Sequence, residues 1–232
     1  MTGPKTARAI ARRELTRAIL DRARAQLAQV GPAALSVRAV ARDLGMASSA
    51  VYRYFPSRDE LLTELLVAIY GELADGLESA DAAVDRTDLA GRWRRLARTL
   101  RAWARSAPHE YALLYGSPVP GYAAPQATVA PAARVTAVLM ALMRDADAAR
   151  PLDPVRPLPD GTHQLLADFR AAAGSDLSDE AVVRGVTAWG ALLGALTLEL
   201  FGHLHRAVVD YDAHFELIID RIDPTPEAVG RP

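Results

Sequence analysis

The chain has 232 residues, a formal net charge of −1 and no cysteine; half of it is hydrophobic and only 6% is aromatic. The missing thiol excludes a disulfide framework, a cysteine-based zinc finger, an iron–sulfur cluster and a thiol nucleophile. The length suits one large domain or two small ones with an ample core. The near-zero charge by itself argues against a wholly basic nucleic-acid coat and against a disordered tail.

Apolar residues recur at three- and four-residue spacing throughout, and no β-branched alternating run occurs, so the pattern predicts an all-α protein. A first helix over about 7–30 carries Leu15, Ile19, Ala23 and Leu27 on one stripe and stops at Gly31-Pro32. A short helix follows from Ser36, with Val37, Val40, Ala41 and Leu44 facing inward, and Gly45 ends it. A third, 48–55, is closed by Pro56. Ser57 and Glu60 form an S-x-x-E capping box that starts a long helix to about residue 79. Residues 88–107 form an amphipathic helix with Trp93, Leu96, Leu100 and Trp103 in register. A short helix from Pro108 to Tyr115 follows, then one over 131–149 built on Val135, Val138, Leu139 and Leu142. Nine of the 15 prolines lie between 108 and 159, so this stretch is broken by turns, with an exposed loop at 150–161. A short helix around 163–173, a long apolar one from Ser178 to His205 and a last one from Asp210 to Ile222 complete the chain.

No targeting signal is visible, and the most apolar run, Val186 to Leu198, is shorter than a spanning helix requires. The expectation is a cytoplasmic protein with no membrane partner. Lys5 is the one lysine among 27 basic residues; arginine is spread over every part of the chain, which reads as codon bias.

The small net charge is a cancellation. Residues 1–60 carry 11 basic and 5 acidic residues, and the remainder carries 16 and 23. A basic head offers salt-sensitive attraction to phosphates, and an acidic body argues against polyanion contact there.

The strongest signal is SVRAVARDLGMASSAVYRYFPSR, residues 36–58. Two short helices meet across Gly45, where the turn needs a residue that tolerates positive φ. Ala41 is small enough for close packing, and Val51 points back to the core. This is the layout of a helix-turn-helix with 48–55 as recognition helix. Val40, Ala41, Leu44, Val51, Phe55, Leu61 and Leu62 read as core.

The segment resembles the N-terminal domain of the tetracycline-repressor (TetR) family. The resemblance is carried by Leu35-Ser36-Val37-Arg38, Val40-Ala41, Leu44-Gly45-Met46, Ala50-Val51-Tyr52-Arg53-Tyr54-Phe55 and Ser57-Arg58-Asp59-Glu60-Leu61-Leu62, unbroken from about residue 14 to 66. It implies a homodimer whose two recognition helices enter adjacent major grooves of a near-palindromic double-stranded DNA operator. It also implies a C-terminal domain that dimerises and binds a small ligand. The division expected is 1–60 for DNA binding and 61–232 for ligand binding and dimerisation.

The DNA-contacting set is Ser36, Val37, Arg38, Ser48, Ser49, Ala50, Tyr52, Arg53, Tyr54 and Arg58. Ser36 caps its helix and turns backbone N–H groups toward a phosphate. Arg38 reaches a base edge or a phosphate. Ser48, Ser49 and Ala50 open the recognition helix; they are small, so direct base readout is thin and DNA shape carries more. Tyr52 and Tyr54 resemble the family's phosphate-contacting aromatics, though Tyr54 also reads as half core. Arg53 is a groove contact or a solvated charge, and Arg58 clamps the backbone. The basic arm with Lys5, Arg8, Arg12 and Arg13 reaches DNA or is a frayed tail.

In the second region, Gly185, Gly190, Ala191, Gly194, Ala195 and Gly202 place small residues along the 178–205 helix. Each glycine costs up to about 1 kcal/mol in a helix interior. A two-fold interface built from 178–205 and 210–222 is the expected compensation. A ligand pocket would draw on Trp103, Tyr111, Leu114, Tyr115, Tyr122, Met140, Phe169, Trp189, Leu193 and His203, any of which can equally be plain core. His109 to Pro118, with Trp189-Gly190, resembles the C-terminal domain of a TetR subfamily.

No catalytic residue, metal site or cofactor is expected: no G-x-S-x-G, phosphate loop or dinucleotide fingerprint occurs. Glu199 and His203 lie one turn apart and either bind a metal or simply pair. The sequence thus reads as a DNA-binding repressor released by an apolar or aromatic small molecule. The alternatives are a ligand-independent DNA-binding module with a protein partner, and a small helical enzyme.

Overall fold

The computed structural model describes residues 4–152, 159, 161–162, 166–167, 169–170 and 177–225. Its helices are α1 (Pro4–Val30), α2 (Val37–Asp43), α3 (Ser48–Val51), α4 (Arg58–Ala82), α5 (Leu89–Ser106), α6 (Pro108–Tyr115), α7 (Val129–Ala149), α8 (Asp179–Leu200) and α9 (Tyr211–Arg221). Among the described residues there is no strand. The helix expected at 163–173 and the loop at 150–161 lie largely outside them.

The chain forms two compact units, one comprising Met1–Tyr70 with Ala107–Ala130 and the other Gly71–Ser106 with Pro131–Pro232. α6 therefore belongs with the helix-turn-helix. In the first unit Ile19, Ala23, Leu27, Val40, Ala41, Val51, Phe55, Leu61, Leu62 and Tyr111 are buried. Leu44, expected in this core, is half-buried.

Local chemistry sets the ends of these helices. Ser36 Oγ accepts from the Ala39 N–H at 3.4 Å, and Ser57 Oγ accepts from the Glu60 N–H at 3.0 Å. At the end of α2 the Met46 N–H reaches the Ala41 carbonyl (2.9 Å) and the Gly45 N–H the Arg42 carbonyl (3.0 Å), with Gly45 at φ 66°. This is the Schellman closure, and the left-handed residue it requires is the glycine read in the sequence. The same closure ends α8: the His203 N–H bonds to the Leu198 carbonyl at 3.0 Å, with Gly202 at φ 75°. Gly202 is thus a helix stop, and α8 ends at Leu200 instead of continuing to His205.

Two further boundaries differ from expectation. α1 begins at Pro4, so the basic arm is helical. The regular part of the recognition helix is short, after which the Tyr54 and Phe55 N–H groups both bond to the Val51 carbonyl and carry a helical turn to Phe55.

In the second unit α5 is the central strut. Its Trp93 is buried and donates Nε1–H to the Ile219 carbonyl at 2.8 Å. Arg94 pairs with Asp220, Arg98 with Glu216, and Arg105 with Asp212, so α9 lies along α5 on a ladder of ion pairs. By length and composition 126–149 and α8 would each pass for a membrane span, longer than the run read from the sequence. Leu139, Leu142, Met143, Val182, Leu192 and Leu196 on these helices are buried inside the unit instead.

Candidate nucleic-acid interface

The exposed face of the helix-turn-helix carries Arg38, Ser49, Tyr52 and Arg53. Ser36, Ser48, Ala50, Tyr54 and Arg58 are half-buried around it. Val37 departs from the expected set: it is 3% exposed and belongs to the core, leaving only its backbone for a partner.

Three polar ties hold α2 in place, and none of them was read from the sequence. Arg22 grips Asp43 at the C-terminal end of α2, with Nε and Nη2 both on Oδ2 at 3.0 and 2.8 Å. One turn further along α1, Gln26 accepts the Ser36 N–H at 2.8 Å and so occupies the N-terminal end. Ser36 therefore caps α2 as expected, but its own N–H is engaged by Gln26. The one sequence signal for this was a polar Gln26 interrupting the apolar Ala23–Leu27 stripe.

The third tie is Arg58. Its Nη2 donates to the carbonyls of Pro32 (2.8 Å) and Ala33 (3.1 Å), in the short 3₁₀ turn Pro32–Ala34 that leads into α2. The guanidinium expected on a phosphate is turned onto the protein's own backbone. Arg58→Ala is expected to lower the stability of this unit by about 1.5–3 kcal/mol, the range for hydrogen bonds to a charged group. DNA affinity should fall equally for all sequences, because α2 loses its seat. Thermal denaturation together with gel shifts on matched and mismatched duplexes reads both effects.

α6 is fastened within the same unit. Arg24 of α1 lies 3.5 Å from the buried Glu110 carboxylate. Burial first, then the Arg24 charge, holds the neighbouring His109 imidazole below its ordinary value of 6.5. Below about pH 6.5 the unfolded chain therefore takes up a proton that the folded chain resists. This contribution to stability falls as pH drops from 6.5 toward the depressed folded value. His109→Gln is expected to flatten the stability difference between pH 5.5 and pH 7.5 in urea titrations, about the span over which an unperturbed histidine titrates.

The ten residues expected to line a ligand pocket are divided between the two units. Tyr111, Leu114, Tyr115 and Tyr122 belong to the first unit, and Trp103, Met140, Phe169, Trp189, Leu193 and His203 to the second. Tyr115 packs against Tyr111 and edge-on to Tyr70, with ring centroids 5.4 and 6.3 Å apart. Burial, then the two neighbouring phenols, pushes the Tyr115 hydroxyl well above its ordinary value. Tyr122 shares a 2.9 Å hydrogen bond with Thr63. His203 is exposed beyond the end of α8. Its supposed partner Glu199 is held by the Arg101 guanidinium, with Nη2 at 2.9 Å and Nε at 3.0 Å. Among the described residues no group of three metal-binding side chains occurs.

What the second unit does contain is an apolar cavity of about 10 Å³, lined by Leu77, Trp93, Leu96, Val135, Val138, Leu139, Trp189 and Leu192. Of these only Trp189 was among the expected ligand contacts. Trp93, Leu96, Val135, Val138 and Leu139 read as the apolar stripes of their helices, and a cavity wall and a core are made of the same residues.

A basic helix-turn-helix with an exposed second helix, joined to a separate helical unit, defines a DNA-binding regulator. Residues 19–65 match the model of bacterial regulatory proteins of the tetR family, and 93–222 match the tetracyclin repressor-like C-terminal domain. The HTH-type transcriptional regulator Rv1816 of Mycobacterium tuberculosis is 41% identical over 229 residues, covering 90% of this chain and 92% of the relative. The crystal structure of SCO4313, described as a regulatory protein, aligns at 34% identity with a TM-score of 0.76, covering 92% of this chain and 97% of that one. A Rhodococcus sp. RHA1 protein of unknown function, 24% identical over 90% of this chain and 95% of its own, shares the fold with a TM-score of 0.66. The chain belongs to the TetR family of transcription regulators, which bind DNA and are not enzymes.

Proposed function

We propose that the protein is a homodimeric repressor that sits on a near-palindromic operator and leaves it when a small apolar or aromatic molecule enters the second unit. It acts in the cytoplasm without a membrane partner. The head, residues 1–60, binds DNA; residues 61–232 dimerise and sense. The observation that carries the DNA half is the exposed set Arg38, Ser49, Tyr52 and Arg53 on a helix-turn-helix whose core and caps are closed. Arg38 and Ser49 read base edges, Ala50 meets a thymine methyl, and Tyr52 and Tyr54 hold phosphates. Because Ser48, Ser49 and Ala50 are small, sequence preference rests largely on Arg38 and on DNA shape.

The sensing half rests on the wholly apolar cavity around Trp93 and Trp189. Such walls favour a ligand with little polar surface. A gel shift on the DNA flanking the protein's own gene, repeated with apolar candidate ligands, tests both halves. Binding that a ligand reverses is the expected result; failure to bind any selected duplex would remove the DNA reading.

The small volume of the cavity, about 10 Å³, favours a second reading. It holds roughly one water-sized sphere, so a ligand must displace side chains to enter. In this reading the regulator needs no small molecule and its partner is a protein. A ligand panel that neither raises the melting temperature nor releases DNA would select it.

A further inference from the structure

We propose that Arg12 and Tyr54 act as one composite phosphate clamp, in which Arg12 is the cation that α1 contributes to DNA. The inference rests on the phosphate role proposed for Tyr54 and adds a partner, a geometry and a dependence between the two residues. The Arg12 guanidinium carbon lies 5.1 Å from the centroid of the Tyr54 ring. That is within reach of a cation–π contact. Arg12 is exposed, and Tyr54 is half-buried on the turn that follows α3, with its N–H fixed to the Val51 carbonyl at 2.9 Å. The backbone bond sets where the Tyr54 side chain leaves the turn, half-burial limits the ring, and the guanidinium lies over it.

This placement changes what Arg12 can do. A lone arginine on an exposed helix loses rotamer freedom on meeting a phosphate, whereas one already stacked has lost it beforehand. A guanidinium that spends its face on an aromatic ring keeps its N–H edges for oxygen acceptors. The clamp would therefore offer one phosphate a neutral hydroxyl donor and a charged one side by side. Arg12 and Tyr54 also line a recess of about 190 Å³, to which α4 contributes Glu60 and Glu64. Two carboxylates there disfavour a phosphate inside the recess.

The experiment is a mutant cycle read by fluorescence anisotropy on a mixed-sequence duplex and on a duplex selected by the wild-type protein, over a range of salt. Arg12→Ala should lower the slope of log K against log salt by about one per head. It should weaken both duplexes alike, on the order of tenfold at physiological salt. Tyr54→Phe should keep that slope, and Tyr54→Ala should lower it as Arg12→Ala does, because the cation loses its seat. The Arg12→Ala/Tyr54→Ala double variant should be little weaker than Tyr54→Ala. Arg12→Lys should keep the slope but lose the coupling to Tyr54. Unchanged melting curves for the exposed Arg12 variants confirm folding. An unchanged slope in Arg12→Ala would reduce Arg12 to a surface cover on the ring. Strictly additive losses would make Arg12 an independent cation and overturn the clamp. Tyr54 variants that bind as wild type, with Arg12→Ala weakened, would remove the phosphate role of Tyr54 itself and the clamp with it.

Discussion

Arg92→Met is expected to destabilise the second unit by about 3–5 kcal/mol, the range for breaking a buried ion pair from one side. Arg92 is 1% exposed, yet it carries a full charge. Its Nε and Nη2 bond to the two oxygens of Asp81 at 2.8 and 2.9 Å, and its Nη1 to Asp145 at 2.7 Å. One guanidinium of α5 therefore joins the end of α4 to α7. Burial opposes its charge, but the hydrogen bonds and charges of the two aspartates outweigh burial and hold its pKa above the ordinary value. Asp81 sits in the last turn of α4, where a carboxylate meets the negative end of the helix dipole, so it depends on that cation.

Methionine preserves most of the volume, so the loss in Arg92→Met comes from two stranded carboxylates. Asp145 keeps Arg86 at 2.9 Å, and Asp81 is the more exposed to the loss. One consequence separates this account from one based on packing. The triple variant Arg92→Met/Asp81→Asn/Asp145→Asn should recover most of the stability, since an apolar replacement for a buried ion pair is often neutral. Urea titrations read it. A triple variant as unstable as Arg92→Met would assign the loss to shape.

What the sequence made legible was local. The Ser57 cap, the Gly45 turn and the helix-turn-helix core depend on residues within one or two turns of each other, and spacing alone reveals them. The missed features depend on partners far along the chain. Arg22 meets Asp43 21 positions away, and Arg92 meets Asp145 53 positions away. Arg94, Arg98 and Arg105 carry no local sign of their pairing, because their partners, Asp220, Glu216 and Asp212, lie on the last helix. The place of α6 in the first unit is not legible from its own sequence, since Arg24 of α1 beside Glu110 helps to seat it there. Ligand contacts are hard to read for a related reason: aromatic character marks burial as readily as it marks a pocket.

The glycines of α8 divide into those the single chain explains and those it does not, and the division makes the last prediction. A Cβ on Gly185 would lie 2.6 Å from Met140 Cε and 2.9 Å from Met143 Cγ, so this glycine allows α7 to approach. Gly202 stops the helix. A Cβ on Gly190 or Gly194 would meet nothing within 4 Å, and both glycines are exposed, together with Ala191, Leu198 and Phe201 along the same face. Within one chain they weaken α8 by up to about 1 kcal/mol each relative to alanine and return nothing. Ala213 and Leu217 of α9 are likewise exposed, while the opposite side of α9 is held to α5 through Phe215, Ile219 and the ion-pair ladder. An isologous contact of this face with its own copy would account for all of these residues together. Gly190→Ala should therefore act with opposite signs: the isolated chain gains up to about 1 kcal/mol of helix stability, and the dimer dissociates more readily. Gly194→Glu should go further and yield a monomer at micromolar concentration in analytical ultracentrifugation. Its operator affinity should fall by a factor of about 10²–10⁴, the advantage of two linked heads over one, while binding to a single half-site stays near the wild-type level. A Gly194→Glu protein that remains dimeric would move the two-fold contact to another face.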